Sequence, residues 1–112
     1  MNGTIRNLVQ RYRQGAMATK EVSRPQEANK GAAEVHASYS VLRESEEGRQ
    51  SMIALMQDPE ASVRCWAAAH CLQWRPEAAR RVLEALRDSH GPFSFDAEMT
   101  LDELDKGRLS FG

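Results

Sequence analysis

Leu55 to Leu86 reads LMQDPEASVRCWAAAHCLQWRPEAARRVLEAL, and two proline breaks within it decide the fold. Asp58-Pro59 and Arg75-Pro76 each close one apolar run and open another. Asp suits an N-cap, and proline suits the first helical position, where a missing N–H leaves no intrahelical acceptor unfilled. Behind Pro59, the residues Val63, Trp66, Ala67, His70, Cys71 and Trp74 fall on a 3.6-residue stripe. That spacing predicts a continuous helix to Trp74 with both indoles in the core. Behind Pro76, Ala79, Val82, Leu83 and Leu86 repeat the pattern. Connections this short favour antiparallel neighbours.

The same periodicity extends in both directions. Ile5, Leu8, Val9, Tyr12 and Ala16 mark a first helix, and Ala28, Ala32, Val35, Tyr39 and Leu42 a second. Ser23-Arg24-Pro25-Gln26 between them reads as a capping box with proline in the first turn. Glu44 to Gln50, ESEEGRQ, reads as a polar link to a short helix carrying Met52, Ile53, Leu55 and Met56. Ser89 to Phe95, SHGPFSF, interrupts the chain again. Ala97, Leu101 and Leu104 then mark a last helix ended by Gly107, with Leu109 and Phe111 folding back. No strand-like alternation occurs. The expectation is an all-α fold of about five to six antiparallel helices stacked as a short α-solenoid, one domain over residues 1–112.

Charge is near balance, with a formal net of −1, so nothing global argues for a polyanion or a membrane surface. It is nevertheless blocky. Residues 1–43 carry seven basic against three acidic side chains, and residues 44–63 one against five. Residues 64–93 carry five against three, and residues 94–112 two against five. Cys65 and Cys71 are the two cysteines, and six residues along a helix puts them about 240° apart around its axis, where they cannot bridge. Buried free thiols fit a reducing compartment. The opening MNGTIRNLVQRYRQ has no signal-peptide run and no stretch reaches membrane-spanning length, so a cytoplasmic address and no membrane partner are expected.

LMQDPEASVRCWAAAHCL resembles a HEAT repeat: an apolar helix, Asp-Pro in the turn, then Val-Arg one turn into an Ala-rich second helix. Asp58, Pro59, Val63, Arg64, Ala67 and Ala68 carry that match. PEAARRVLEAL with FDAEMTLDEL resembles a looser second copy that lacks the Asp and Val-Arg signature. On this reading residues 1–50 form an N-terminal helix pair, 51–75 the best HEAT-like repeat and 76–109 the looser one. The chain as a whole, over roughly residues 7–109, resembles a family of small bacterial HEAT-like proteins known as a domain of unknown function. NLVQRYRQGAMA, ANKGAAEVHASYSVLR and DAEMTLDELDKGRL contribute to that resemblance. It implies a structural role for Arg64, supporting the turn of Asp58 and Pro59, where a guanidinium fork can satisfy several acceptors at once.

Few side chains suggest chemistry. His70, Cys65, Cys71 and His36 lack the short paired spacing that zinc sites use, so a core histidine and two core thiols are expected, with no metal or other cofactor. Nucleophilic catalysis would need a positioned third group, and none can be read. Glu98, Asp102 and Asp105, at i, i+4 and i+7 with Asp96 nearby, make an acidic stripe, and Glu44, Glu46 and Glu47 a second acidic patch. Like charges one helical turn apart are mildly unfavourable, so a basic ligand would relieve them. The plain alternative is a solvated face. Arg6, Arg11, Arg13, Lys20 and Arg24 scatter around the first helix, with no glycine-rich phosphate loop. Arg80, Arg81 and Arg87 have Glu77 and Glu84 as helical partners.

The expectation is therefore a non-enzymatic protein-binding module. The resemblance adds a narrower one, an immunity-type inhibitor that caps a cognate basic toxin through its acidic patches. A HEAT-like nucleic-acid-binding protein is the alternative.

Overall fold

The computed structural model describes residues 3–111, so the outermost limits of the expected domain, Met1 and Gly112, lie outside the described residues. Among the described residues six α-helices follow one another: α1 Gly3–Ala18, α2 Pro25–Leu42, α3 Glu46–Leu55, α4 Ala61–Cys71, α5 Pro76–Asp88 and α6 Ser94–Asp105. No strand occurs among the described residues. The chain divides into two compact units, Met1–Leu55 and Met56–Gly112.

In the first unit α1 and α2 share the most extensive contact, and α3 rests on both. Their seam is made of Ile5, Leu8, Tyr12 and Ala16 from α1 and Val35, Tyr39 and Leu42 from α2, all buried. Within it Gly15 stands against Gly31 at backbone distance. A Cβ on Gly15 would lie 2.6 Å from the Gly31 carbonyl oxygen, and one on Gly31 would lie 2.5 Å from that of Gly15. No larger residue fits at this point without parting the helices. Gly31 accordingly takes a buried place, whereas Ala28 and Ala32, expected in the core, are only half-buried.

The turn before α2 corrects the expected capping box. Arg24 is the N-cap, with φ −131° and ψ 77°, no side chain caps the helix, and Pro25 starts it. Proline drives its preceding residue out of the helical region, which makes Arg24 the cap and leaves Ser23 one residue too early. The polar link at Glu44–Gln50 is corrected as well: α3 already begins at Glu46. Ser45 Oγ accepts the Gly48 N–H at 3.0 Å, and Arg49 donates to the Arg43 carbonyl at 2.8 Å and pairs with Glu46 at 3.1 Å. Gly48 is buried against the Leu42 carbonyl, in space a Cβ could not share.

In the second unit α5 packs on both α4 and α6, and α4 touches α6 more lightly. Leu83 and Leu86 of α5, Val63 of α4 and Leu101 of α6 are buried together with small residues, Ala67, Ala68, Ala79 and Ala97. Helix α4 buries Ser62, Val63, Cys65, Ala67, Ala68, His70 and Cys71, more than one stripe of its surface. Trp66 and Trp74, expected in the core, are half-buried. Small side chains hold the inner side of α4, and Trp66 lies over His70 with ring centroids 6.1 Å apart. Nor does the helix run on to Trp74: it ends at Cys71, whose carbonyl accepts from Arg75 N at 2.7 Å.

The last helix closes on a Schellman motif. Gly107 at φ +69° lets its own N–H reach the Leu104 carbonyl at 3.1 Å and the Arg108 N–H reach that of Glu103 at 2.9 Å.

The glycine seam makes a quantitative prediction. Gly31→Ala gains about 1 kcal/mol of helix propensity but must force two backbones apart, which costs about 1–3 kcal/mol or more. We expect a net loss of stability at Gly31 and none for Gly3→Ala, because a Cβ on Gly3 would meet nothing within 4 Å. Urea midpoints of the two variants compare them directly, and equal midpoints would contradict the close seam.

Candidate functional site

The turn before α4 brings together Asp58, Pro59 and Arg64. Asp58 is not the N-cap expected of it: its Oδ1 accepts the Glu60 N–H at 2.9 Å, an Asx turn that precedes the helix. Glu60, extended at φ −85° and ψ 125°, is the N-cap, so Pro59 stands outside the first helical position. Arg64 reaches back from α4 and donates through Nη1 to the carbonyls of Asp58 and Pro59, both at 2.9 Å. One guanidinium nitrogen thus satisfies two carbonyls that the turn leaves without intrahelical donors.

The acidic residues of α6 prove to be unlike one another. Asp102 pairs with Lys106 at 3.0 Å, and Arg108 stands 3.9 Å from it. Glu103 holds Arg108 at 2.8 Å. Asp105 pairs across to Arg80 of α5 at 3.0 Å, and Arg80 also meets Glu84 at 3.3 Å. The hydrogen bond from Lys106 to Asp102 raises the lysine pKa, and Glu103 does the same for Arg108. Glu98 makes no hydrogen bond or ion pair among the described residues and acts on Arg87 only through space. Asp96 sits in the first turn of α6, where negative charge complements the helix dipole. In the other unit Glu46 and Glu47 occupy the first turn of α3, and Glu46 is tied to Arg49 and Gln50; Glu44 is exposed beside them.

What the acidic stripe shares its face with is apolar. Phe95 is 67% exposed and Met99 44%, one helical turn apart, with Glu98 and Asp102 continuing the same face. The break expected over Ser89–Phe95 ends early: α6 begins at Ser94 and already includes Phe95. Phe95 lies two residues before buried Ala97, about 200° around the helix, and so points away from the packed side. That phase relation was available in the sequence. The backbone leading into this face is strained: His90 at φ 54° and Phe93 at φ 73° both take left-handed conformations without being glycine. His90 follows the Ser89 C-cap of α5, and Phe93 is itself the N-cap of α6. Such positions each cost on the order of 1–3 kcal/mol and persist only where surrounding structure holds them.

Cys65 and Cys71 are buried and free. Burial pushes each thiol from 9.0 to about 12; the charge of Asp96 adds to the rise at Cys65, and Arg75 opposes it at Cys71. Neither is a thiolate near neutral pH. No group of three or more His, Cys, Asp or Glu capable of holding a metal occurs among the described residues. No helix among them is long and apolar enough to cross a membrane.

Among the described residues these elements define an all-helical protein that exposes apolar and acidic side chains together on α6. The chain belongs to the family described as a domain of unknown function (DUF2019), whose model matches residues 8–105. Comparisons with curated proteins and with solved structures give no match.

The thiols make a pH prediction. Above about pH 9 the unfolded chain loses its thiol protons while the folded chain keeps them until about 12, so the folded state binds more protons and stability falls as pH rises. The slope is at most about 1.4 kcal/mol per pH unit per thiol. Urea denaturation at about pH 8 and about pH 10.5 should show a steeper loss for the parent than for a Cys65→Ala/Cys71→Ala variant. Parallel losses would remove the thiols as its cause.

Proposed function

We propose that this chain is a non-enzymatic protein-binding module, built from HEAT-like antiparallel helix pairs of the α-solenoid type, that docks a partner protein on the exposed face of α6. The observation that carries this reading is Phe95 and Met99 standing exposed beside Glu98 and Asp102. A large aromatic held on a rigid helix offers apolar area at low entropic cost, and interface hot spots are enriched in such anchors with a polar rim. The antiparallel pairing is supported by register in the first unit. Gly15 meets Gly31 and Arg11 pairs with Glu34 at 2.8 Å, so positions rise on α1 as they fall on α2.

The narrower proposal is an immunity-type inhibitor of a basic toxin domain. Here the acidic residues divide. Asp102 and Asp105 already have cations beside them, so a basic partner must displace Lys106, Arg108 or Arg80 to gain from them. Glu98 requires no such exchange. Glu98→Lys should therefore weaken the complex more than Asp102→Lys or Asp105→Lys.

Titration calorimetry with the product of a neighbouring toxin-like gene tests both levels. Phe95→Ala with Met99→Ala should cost the complex about 2 kcal/mol or more and leave folding stability within about 0.5 kcal/mol, since both side chains are exposed. A double variant that binds as tightly as the parent would remove α6 as the contact face. Retardation of DNA or RNA with a steep salt dependence would favour nucleic-acid binding instead.

A further inference from the structure

A groove of about 350 Å³ lies within the second unit, lined by Met56, Ala61 and Arg64 on one side and by Val82, Leu86 and Pro92 among others on the other. Arg64 is the one charged residue in its lining, and no carboxylate lines it. The guanidinium is anchored on one side only. Both bonds to the Asp58 and Pro59 carbonyls come from Nη1, and among the described residues Nε and Nη2 donate to nothing. The parallel N–H pair of Nε and Nη2 is the fork that takes a carboxylate through both oxygens. The turn thus fixes the guanidinium and leaves its carboxylate-binding edge unused.

From this we infer that the groove binds a medium-chain aliphatic carboxylate, its two oxygens on Nε and Nη2 of Arg64 and its tail along Val82, Ala85 and Pro92, the accessible apolar part of the lining. Charge complementarity selects the head group, because a half-buried cation with no ion pair among the described residues gains from an anion that arrives with its own apolar cover. The volume selects a short tail, being at the small end of ligand pockets. Ser89 does not compete for the head group: its hydroxyl donates to the Leu86 carbonyl at 2.7 Å and accepts the Gly91 N–H at 3.2 Å. This site is independent of the α6 face, since none of Phe95, Glu98 or Met99 lines it.

Octanoate, octanol and a tetrapeptide with a C-terminal leucine carboxylate, each titrated into the labelled protein and followed by NMR, test the assignment. Octanoate should shift the Arg64 Nε–H and the Val82 and Ala85 methyls, and bind at least tenfold more tightly than octanol. Arg64→Lys keeps the charge but loses the fork, and should weaken octanoate at least tenfold. Because that variant disturbs the turn, Ala85→Phe serves beside it: Ala85 lines the groove yet is exposed, so the ring blocks the site without entering the core. Octanoate binding that survives Ala85→Phe, binding equal to octanol, or no binding at all would overturn the proposal. A tetrapeptide that binds more tightly than octanoate would overturn it in favour of a polypeptide terminus.

Discussion

Where Gly15 meets Gly31, each backbone occupies the space that the other's side chain would need. Everything in the first unit follows from that contact. It brings α1 and α2 together at backbone distance, so the seam beyond it can close over Tyr12, Val35 and Leu42 with none of them reaching solvent. Gly48 applies the same rule at the start of α3, tucked against the Leu42 carbonyl. The second unit uses alanine and cysteine for the purpose, which is why α4 buries more than one stripe and why Trp66 stands at the margin. Short helices bury little area each, and close approach lets small residues fill a dense core.

Charge in this protein is spent mostly on itself. Arg11 and Glu34 join α1 to α2, Arg80 and Asp105 join α5 to α6, and Lys106 and Arg108 answer the acids at the end of α6. Exposed pairs of this kind contribute little to stability individually. Their larger effect is to remove charge from the surface that a partner meets. A face that looks uniformly acidic along the chain is reduced to Glu98 and the helix-start carboxylate Asp96, set around an apolar Phe95 and Met99. Such a face draws its binding energy from desolvated apolar anchors and its selectivity from the acids around them.

The two turns of the second unit contrast in how they are held. Before α4, Asp58 and Arg64 satisfy the backbone with side-chain bonds, and the conformation is ordinary. Before α6, His90 and Phe93 adopt left-handed angles that their side chains disfavour. A glycine at either place would relieve that cost, and Gly91 is present but falls between them. The strained turn is the one that delivers Phe95 to the surface.

How much of this was legible along the chain depends on the range of the interaction. Proline positions, apolar spacing and the absence of alternation determined an all-helical chain and located most helix boundaries, because those signals act within a turn or two of the backbone. Pro25 and Pro76 open helices where they stand, and Gly107 closes the last one. Asp58 shows the limit even at short range, since an aspartate can bond two residues on as readily as it can cap. Periodicity also assigns a face without saying how near the next helix comes, and so it put Trp66 and Trp74 inside and missed the seam at Gly15 and Gly31. The acidic stripe was visible in the sequence, but its neutralisation by Arg80, 25 residues away, was not. Only the tertiary structure decides which charges meet and which apolar groups are left over, because both depend on helices brought together across the chain.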